Sequence, residues 1–162
     1  MKSSEPLNTI ELAMQPGQIT CDGFLGNDSR PLADILAADQ AEVDRLGLSH
    51  HQMARRMIEF RDAGRNAMGD LVVVPPHWEV RVDSARGKLP CPFGEPGLYP
   101  KINITVRNVW NGGEITFTDL HIHLIDLHGF YEGQGTAFRI EPARLAEVLE
   151  VKRQGDVCCH PA

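Results

Sequence analysis

The spacing of apolar residues changes near Leu71, and this change limits the folds that are open to the chain. Before Leu71, apolar residues recur every three to four positions, which is the spacing of helices that bury one face. After Leu71, apolar and polar residues alternate, which is the spacing of strands with one buried face. Helices followed by strands with short connections predict an α+β domain with an antiparallel sheet.

The first part of the chain is predicted to form a helical hairpin over 31–63. Pro31 suits the first turn of the first helix. Ser49, with Gln52 three residues later, makes a capping box at the start of the second helix, and Gly64 closes that helix. Ahead of the hairpin we expect a short strand at 9–13, and then a tight loop over 21–28, where two glycines stand with Asn and Asp.

The second part is predicted to form a sheet of four to five strands and a C-terminal helix. The segment Trp110–Gly113 predicts a hairpin turn, because Asn and Gly accept left-handed backbone conformations. The predicted domain covers residues 1–155, and 156–162 are expected to be a mobile tail. The strands are expected at 71–74, 77–83, 101–109 and 114–124, with a short fifth strand at 137–140 and the closing helix at 142–151.

Three histidines fall within eight residues, directly after the predicted hairpin turn. On a strand, Asp119, His121 and His123 share one face, because alternate side chains point to the same side. Imidazole and carboxylate ligands suit zinc or iron, so we expect His121 and His123 to bind a metal with Asp119 or His128. Glu132 could then act as acid or base on a metal-bound water. Alternatively, the same face is simply the exposed side of a strand and binds nothing.

The order Gly113, His121-x-His123, His128, Gly135 resembles the first motif of the cupin barrels. The resemblance covers about twenty residues, and it implies a barrel in which His121 and His123 are metal ligands. The chain departs from the family pattern because His128 stands near the expected position of a glutamate. In addition, the residues after Gly135 contain no second motif.

The turn Leu46-Gly47-Leu48-Ser49 resembles that of a helix-turn-helix DNA reader, and the next helix begins with polar and basic side chains. This resemblance also covers about twenty residues. It departs at Val43, where the family has a small residue, and at Arg56, where an apolar one packs inward. The net charge of −6 argues against a broad nucleic-acid surface. A third hypothesis is a non-catalytic interaction module that dimerises through its sheet.

A long connection, Ala85–Pro100, separates two of the predicted strands and contains four prolines and three glycines. Such a connection is usually either functional or disordered, and its prolines and large apolar side chains favour an ordered loop that could act as a lid. Cys91 within it is a candidate thiolate ligand or nucleophile, or a cysteine packed beneath the loop.

Composition sets the remaining limits. A chain of 162 residues with 42% hydrophobic and 23% charged residues is typical of a globular protein, and no apolar run is long enough to cross a membrane. The first residues lack the apolar segment of a signal peptide, so we expect a cytoplasmic protein with reduced cysteines. There is no Cys-x-x-Cys pair, which argues against a zinc ribbon.

Overall fold

The computed structural model describes residues 7–153. Within this range the chain forms five helices and an antiparallel sheet of four strands, which confirms the predicted α+β fold. The predicted tail at 156–162 lies outside the described residues. The elements in chain order are α1 Leu7–Ala13, α2 Leu32–Arg45, α3 His50–Arg65, β1 Val72–Val74, β2 Trp78–Pro90, β3 Leu98–Asn108, β4 Glu114–Thr118, α4 Asp119–His128 and α5 Pro142–Leu149.

The sheet has the simple order β1-β2-β3-β4, and each strand pairs antiparallel with the next. Alternation along the strands gives the sheet one apolar face, as predicted. That face packs against helices, while its reverse carries mostly polar side chains. The buried residues of the apolar face are Trp78, Val80, Val82, Ile102, Ile104, Val106, Ile115 and Phe117.

The predicted helical hairpin is confirmed as α2 and α3. The Ser49 side chain accepts a hydrogen bond from the Gln52 backbone N–H, and the Gln52 side chain accepts one from the Ser49 backbone N–H. The start of α2 has no cap from its own segment. Instead, the Glu11 carboxylate of α1 accepts a hydrogen bond from the Leu32 N–H at 2.6 Å. This bond ties α1 to α2 and places a negative charge at a helix N-terminus, where it is favourable.

The interior contains two apolar clusters, and α4 contributes to both. The sheet, α3 and α5 enclose the first cluster, to which α4 adds Ile122 and Ile125. The second cluster lies among α1, α2 and the connection after β2, and α4 adds Leu120 and Leu124 to it. The central position of α4 explains why side chains from distant parts of the chain meet around it.

Three predicted segments differ from the structure. The expected strand at 9–13 is helix α1, because Ile10 and Met14 lie one helical turn apart and are both buried. Residues 137–140 form a turn followed by irregular backbone rather than a fifth strand. The expected loop over 85–100 is shorter, because β2 and β3 continue to pair through Lys88↔Pro100 and beyond, which leaves only 91–97 as loop.

The most consequential correction concerns the histidine strand. Strand β4 ends at Thr118, and residues 119–128 are helix α4, so His121 and His123 do not lie on a strand. The Thr118 hydroxyl caps the helix by accepting from the His121 N–H, and Gly129 ends it with φ +62°. The described residues form an open sheet of four strands and not the closed barrel of the cupins. No described helix is long and apolar enough to cross a membrane.

Candidate functional site

Two of the predicted metal ligands converge with two residues of the 91–97 loop. The Cys91 Sγ lies 3.8 Å from the His128 Nε2. The Glu95 carboxylate lies between the histidines, with Oε1 3.0 Å from the His123 Nε2 and Oε2 3.4 Å from the His128 Nε2. One ligand atom from each residue lies within 4.8 Å of the other three. We call Cys91, Glu95, His123 and His128 the four-donor cluster.

A backbone N–H group contacts the Cys91 sulfur, and a tight turn follows that residue. The Phe93 N–H donates to the Cys91 Sγ at 3.4 Å, and the Gly94 N–H donates to the Cys91 carbonyl at 3.0 Å, which closes a tight turn. Gly94 has φ +93°, a conformation that favours glycine. Burial raises the pKa of the Cys91 thiol above its usual value, while backbone N–H groups of residues 93–95 act to lower it.

His123 is oriented by an aromatic neighbour. Its Nδ1 lies 3.0 Å from the Tyr99 hydroxyl, and the two rings stack with centroids 4.6 Å apart. The Nε2 is buried and lies 3.0 Å from the Glu95 Oε1, but within the described chain it makes no well-directed hydrogen bond. Burial lowers the pKa of His123 below its usual value, although the Glu95 charge opposes that shift. A neutral ring with Nε2 aimed into the cluster is the form that binds a metal.

His128 is fixed by stacking. Its ring lies parallel to that of Phe93, with centroids 3.9 Å apart and 4° between the planes. The His123 and His128 rings approach edge to face, with centroids 5.6 Å apart. Both imidazoles are therefore held by aromatic rings from the segment 93–99, and they carry their nitrogens toward Cys91 and Glu95.

Two of the four predicted metal ligands, Asp119 and His121, lie away from the four-donor cluster. Asp119 forms an ion pair with the Arg61 guanidinium at 2.9 Å, and it lies outside the four-donor cluster. His121 also lies outside the cluster, and its Nε2 makes a short hydrogen bond to the Glu132 carboxylate. Glu95 was not predicted as a ligand. The only signal for it in the sequence is that Gly94 lets the chain reverse directly after Cys91.

The His121–Glu132 pair borders a separate cavity of about 170 Å³. Both residues are buried, with 7% and 3% of their surface exposed. The cavity wall is completed by apolar and hydroxyl side chains and by the first loop, namely Thr20, Cys21, Asp22, Gly23, Phe24, Leu89, Thr118, Leu120, Thr136, Ala137 and Phe138. A carboxylate and an imidazole inside a small, largely apolar cavity are a second candidate site.

Close backbone contacts hold together the two loops that line this cavity. The Gly133 N–H donates to the Phe24 carbonyl at 2.9 Å, and the Asn27 N–H donates to the Gln134 carbonyl at 3.0 Å. A Cβ atom on Gly133 would lie 2.3 Å from the Leu25 carbonyl oxygen, so this approach requires glycine. The two loops that line the cavity are therefore held in fixed positions relative to each other.

The helix proposed to read DNA uses several of its polar side chains within the protein. The Arg56 guanidinium lies over the rings of Phe60 and Trp78 and donates to the Leu149 carbonyl at 2.8 Å. The His51 Nδ1 lies 2.8 Å from an Asp126 oxygen. DNA binding and sheet-mediated dimerisation both stay predictions.

Comparison of the chain with known protein families, with curated protein sequences and with solved structures finds no match. Function must therefore be inferred from the chemistry and geometry of the two sites around α4.

Proposed function

We propose that the protein binds one zinc ion through Cys91, Glu95, His123 and His128, and that the ion fastens the 91–97 loop to α4. The observation that carries this proposal is the convergence of one sulfur, two imidazole nitrogens and one carboxylate within 4.8 Å. The metal-binding prediction is thereby kept for His123 and His128. Asp119 and His121 are replaced as ligands by two residues of the loop.

The spacing of the donors suits a tetrahedral zinc ion. Zinc bonds of about 2.0–2.3 Å place neighbouring donors roughly 3.3–3.8 Å apart. Three of the donor distances are 3.0 Å from the His123 Nε2 to the Glu95 Oε1, 3.4 Å from the His128 Nε2 to the Glu95 Oε2 and 3.8 Å from the His128 Nε2 to the Cys91 Sγ. All four ligand atoms lie within 4.8 Å of one another, so the widest pair needs to close by at most about 1 Å to surround an ion.

The groups behind the ligands support the same reading. Histidine ligands generally make a hydrogen bond through their second ring nitrogen, and the Tyr99 hydroxyl lies in that position for His123. Backbone N–H groups directed at the Cys91 sulfur stabilise a thiolate. A cation would also supply the interaction that the buried His123 Nε2 lacks among the described residues.

The ligand types favour zinc over iron and indicate a structural role. A thiolate with two imidazoles suits zinc, and four protein ligands leave no position for a substrate. Glu95 is the most exposed donor, with 39% of its side chain accessible, whereas the histidine side chains are 12% and 16% accessible. Glu95 is accordingly the ligand that we expect to contribute least to affinity.

Metal content measured by inductively coupled plasma mass spectrometry tests the proposal. We expect one zinc per chain in the purified protein, and a large loss in C91S, H123A and H128A. Asp119→Asn and His121→Gln are the matched controls, because both positions were metal candidates from the sequence and lie outside the cluster. Full zinc in H123A and H128A, or loss in the D119N and H121Q controls alone, would overturn this ligand assignment.

Cobalt substitution tests the sulfur ligand separately. Replacing zinc with Co²⁺ should give a thiolate-to-cobalt charge-transfer band that C91S lacks and that Cys21→Ser retains. Cys21 is the appropriate control because it is exposed and lies outside the cluster. A C158S/C159S variant of the full chain should also keep the band, and loss of the band only in that variant would place the metal elsewhere.

A further inference from the structure

We propose that the cavity beside His121 and Glu132 is a binding site for a small primary amine with an apolar body. The inference is independent of the zinc site, because it uses different residues on the opposite side of α4. The Thr118 backbone N–H lies 3.1 Å from the His121 Nδ1. A backbone N–H can only donate, so Nδ1 accepts and the ring proton is on Nε2.

The assigned tautomer leaves Glu132 incompletely paired. The His121 Nε2–H donates to one Glu132 oxygen, and the imidazole itself is neutral. Within the described residues no hydrogen bond reaches the other oxygen, which is not fully enclosed, since 4% of the side chain is exposed. A buried carboxylate without a cation is unfavourable, and a ligand that carries a positive donor group would relieve that cost.

The charge of the cavity wall selects a cation over an anion. Among the described residues that line the cavity, Asp22 and Glu132 are acidic and there is no lysine or arginine. The remaining wall is mainly apolar, with the rings of Phe24 and Phe138 and the side chains of Leu89 and Leu120. Aromatic faces also attract cations. An ammonium group near Glu132, with a hydrocarbon body against the rings, satisfies both parts of the wall.

The volume of the cavity limits the size of the ligand. A cavity of about 150 Å³ holds benzene in an engineered protein interior. The cavity here measures about 170 Å³, which suits a ring with one short substituent. Benzylamine has that size, and toluene and benzoate have similar bodies without the cationic group.

Glu132 is held in place by a strained backbone and a buried arginine. Its φ of +72° is unusual for a residue with a side chain, and such strain persists where surrounding contacts enforce it. The Arg139 guanidinium donates to the Glu132 carbonyl at 2.8 Å and is itself paired with Asp39 through two hydrogen bonds. The carboxylate is therefore fixed before any ligand arrives, as a binding site requires.

Nuclear magnetic resonance titration of the full chain with benzylamine tests the proposal. At pH 7 we expect saturable shifts of the Leu89 and Leu120 methyl signals, with benzylamine binding at least about tenfold more tightly than toluene, the gain expected from a charge-assisted hydrogen bond. Benzoate should produce no saturable shift. Equal binding of toluene or benzoate, or no saturable shift with benzylamine, would refute a cation site.

Two variants separate this cavity from the zinc site. Glu132→Gln should weaken benzylamine binding by about tenfold or more while zinc content is unchanged. Glu95→Gln is the matched control, because it removes the same charge from the four-donor cluster and should leave benzylamine binding intact. If E132Q does not fold, intermolecular nuclear Overhauser effects in the wild-type protein decide the matter. Effects between benzylamine and Leu120 support the site, and saturable binding without them contradicts it.

Discussion

Zinc should stabilise the folded protein, and the loss of one ligand should remove that stabilisation. A ligand that binds only the native state adds RT ln(1 + [L]/Kd), which is about 2.7 kcal/mol when free zinc is 100 times the dissociation constant. For a chain of this length, about 1 kcal/mol shifts the melting temperature by roughly 2–4 °C. We therefore expect zinc to raise Tm by about 5–11 °C over the chelator-treated protein.

The informative variant is His123→Ala, because it combines loss of a metal ligand with loss of ordinary contacts. In the metal-free protein the substitution removes the stacking with Tyr99 and the hydrogen bond to its hydroxyl. It also removes a buried Nε2 that has no hydrogen bond within the described chain, which offsets part of that loss. We expect a metal-free penalty of about 1 kcal/mol. With zinc present, the lost binding free energy of about 2.7 kcal/mol is added.

Comparing two proteins, each with and without zinc, isolates the contribution of the metal to stability. Calorimetric unfolding of wild type and H123A, each with chelator and with excess zinc, gives the difference that zinc makes to the cost of the substitution. Damage that does not involve the metal cancels in that difference. His51→Ala, a histidine on α3 outside the cluster, is the control and should respond to zinc as wild type does. An equal zinc response in wild type and H123A would refute a role for His123 as a ligand.

Two further predictions test the loops around the cavity by urea unfolding. Gly133→Ala should cost about 3 kcal/mol, because its Cβ would lie 2.3 Å from the Leu25 carbonyl oxygen. Gly17→Ala, at φ +87° with nothing within 4 Å, should cost only about 1 kcal/mol of backbone strain, and equal costs would contradict the close approach. The hydrogen bond from Arg30 lowers the pKa of Asp28 well below its usual 3.8. The stabilisation that ionised Asp28 contributes is therefore complete above its unfolded-state pKa and is lost as pH falls through its folded-state pKa. Asp28→Asn should cost about 1 kcal/mol of stability at pH 7 and less near pH 3. A pH-independent cost would contradict this linkage.

The fold was largely predictable because most of its elements are specified locally. The change of period near Leu71, the Ser49 capping box and the Trp110–Gly113 turn each depend on residues close together in sequence. The prediction failed where a boundary depends on distant contacts. Pairing of β2 with β3 resumes after an irregularity at 84–88, and this extension through Pro90 and Pro100 needs the partner strand to be in place.

The sequence of the histidine segment predicts a strand because two helical faces produce an apparent alternation. Leu120 and Leu124 form one buried face at a spacing of four, and Ile122 and Ile125 form another at a spacing of three. Read together, Leu120, Ile122 and Leu124 mimic a strand of period two. The local helix signals were Thr118, whose capping box uses a histidine instead of the usual Glu or Gln, and Gly129 at the end. Helices with two buried faces are poorly described by a single period.

Predicting a strand in place of helix α4 also combines two separate sites into one predicted metal site. On a strand, His121 and His123 would share a face and suit a single ion, whereas on a helix residues two apart point about 200° away from each other. One side of α4 accordingly brings His123 to Cys91 and Glu95, and another brings His121 to Glu132. A double His121/His123 variant would therefore disturb two sites together and assign neither. Single variants should show separable effects, with zinc lost in H123A alone and benzylamine binding weakened in E132Q alone. Loss of both zinc and benzylamine binding in either variant would indicate one coupled site.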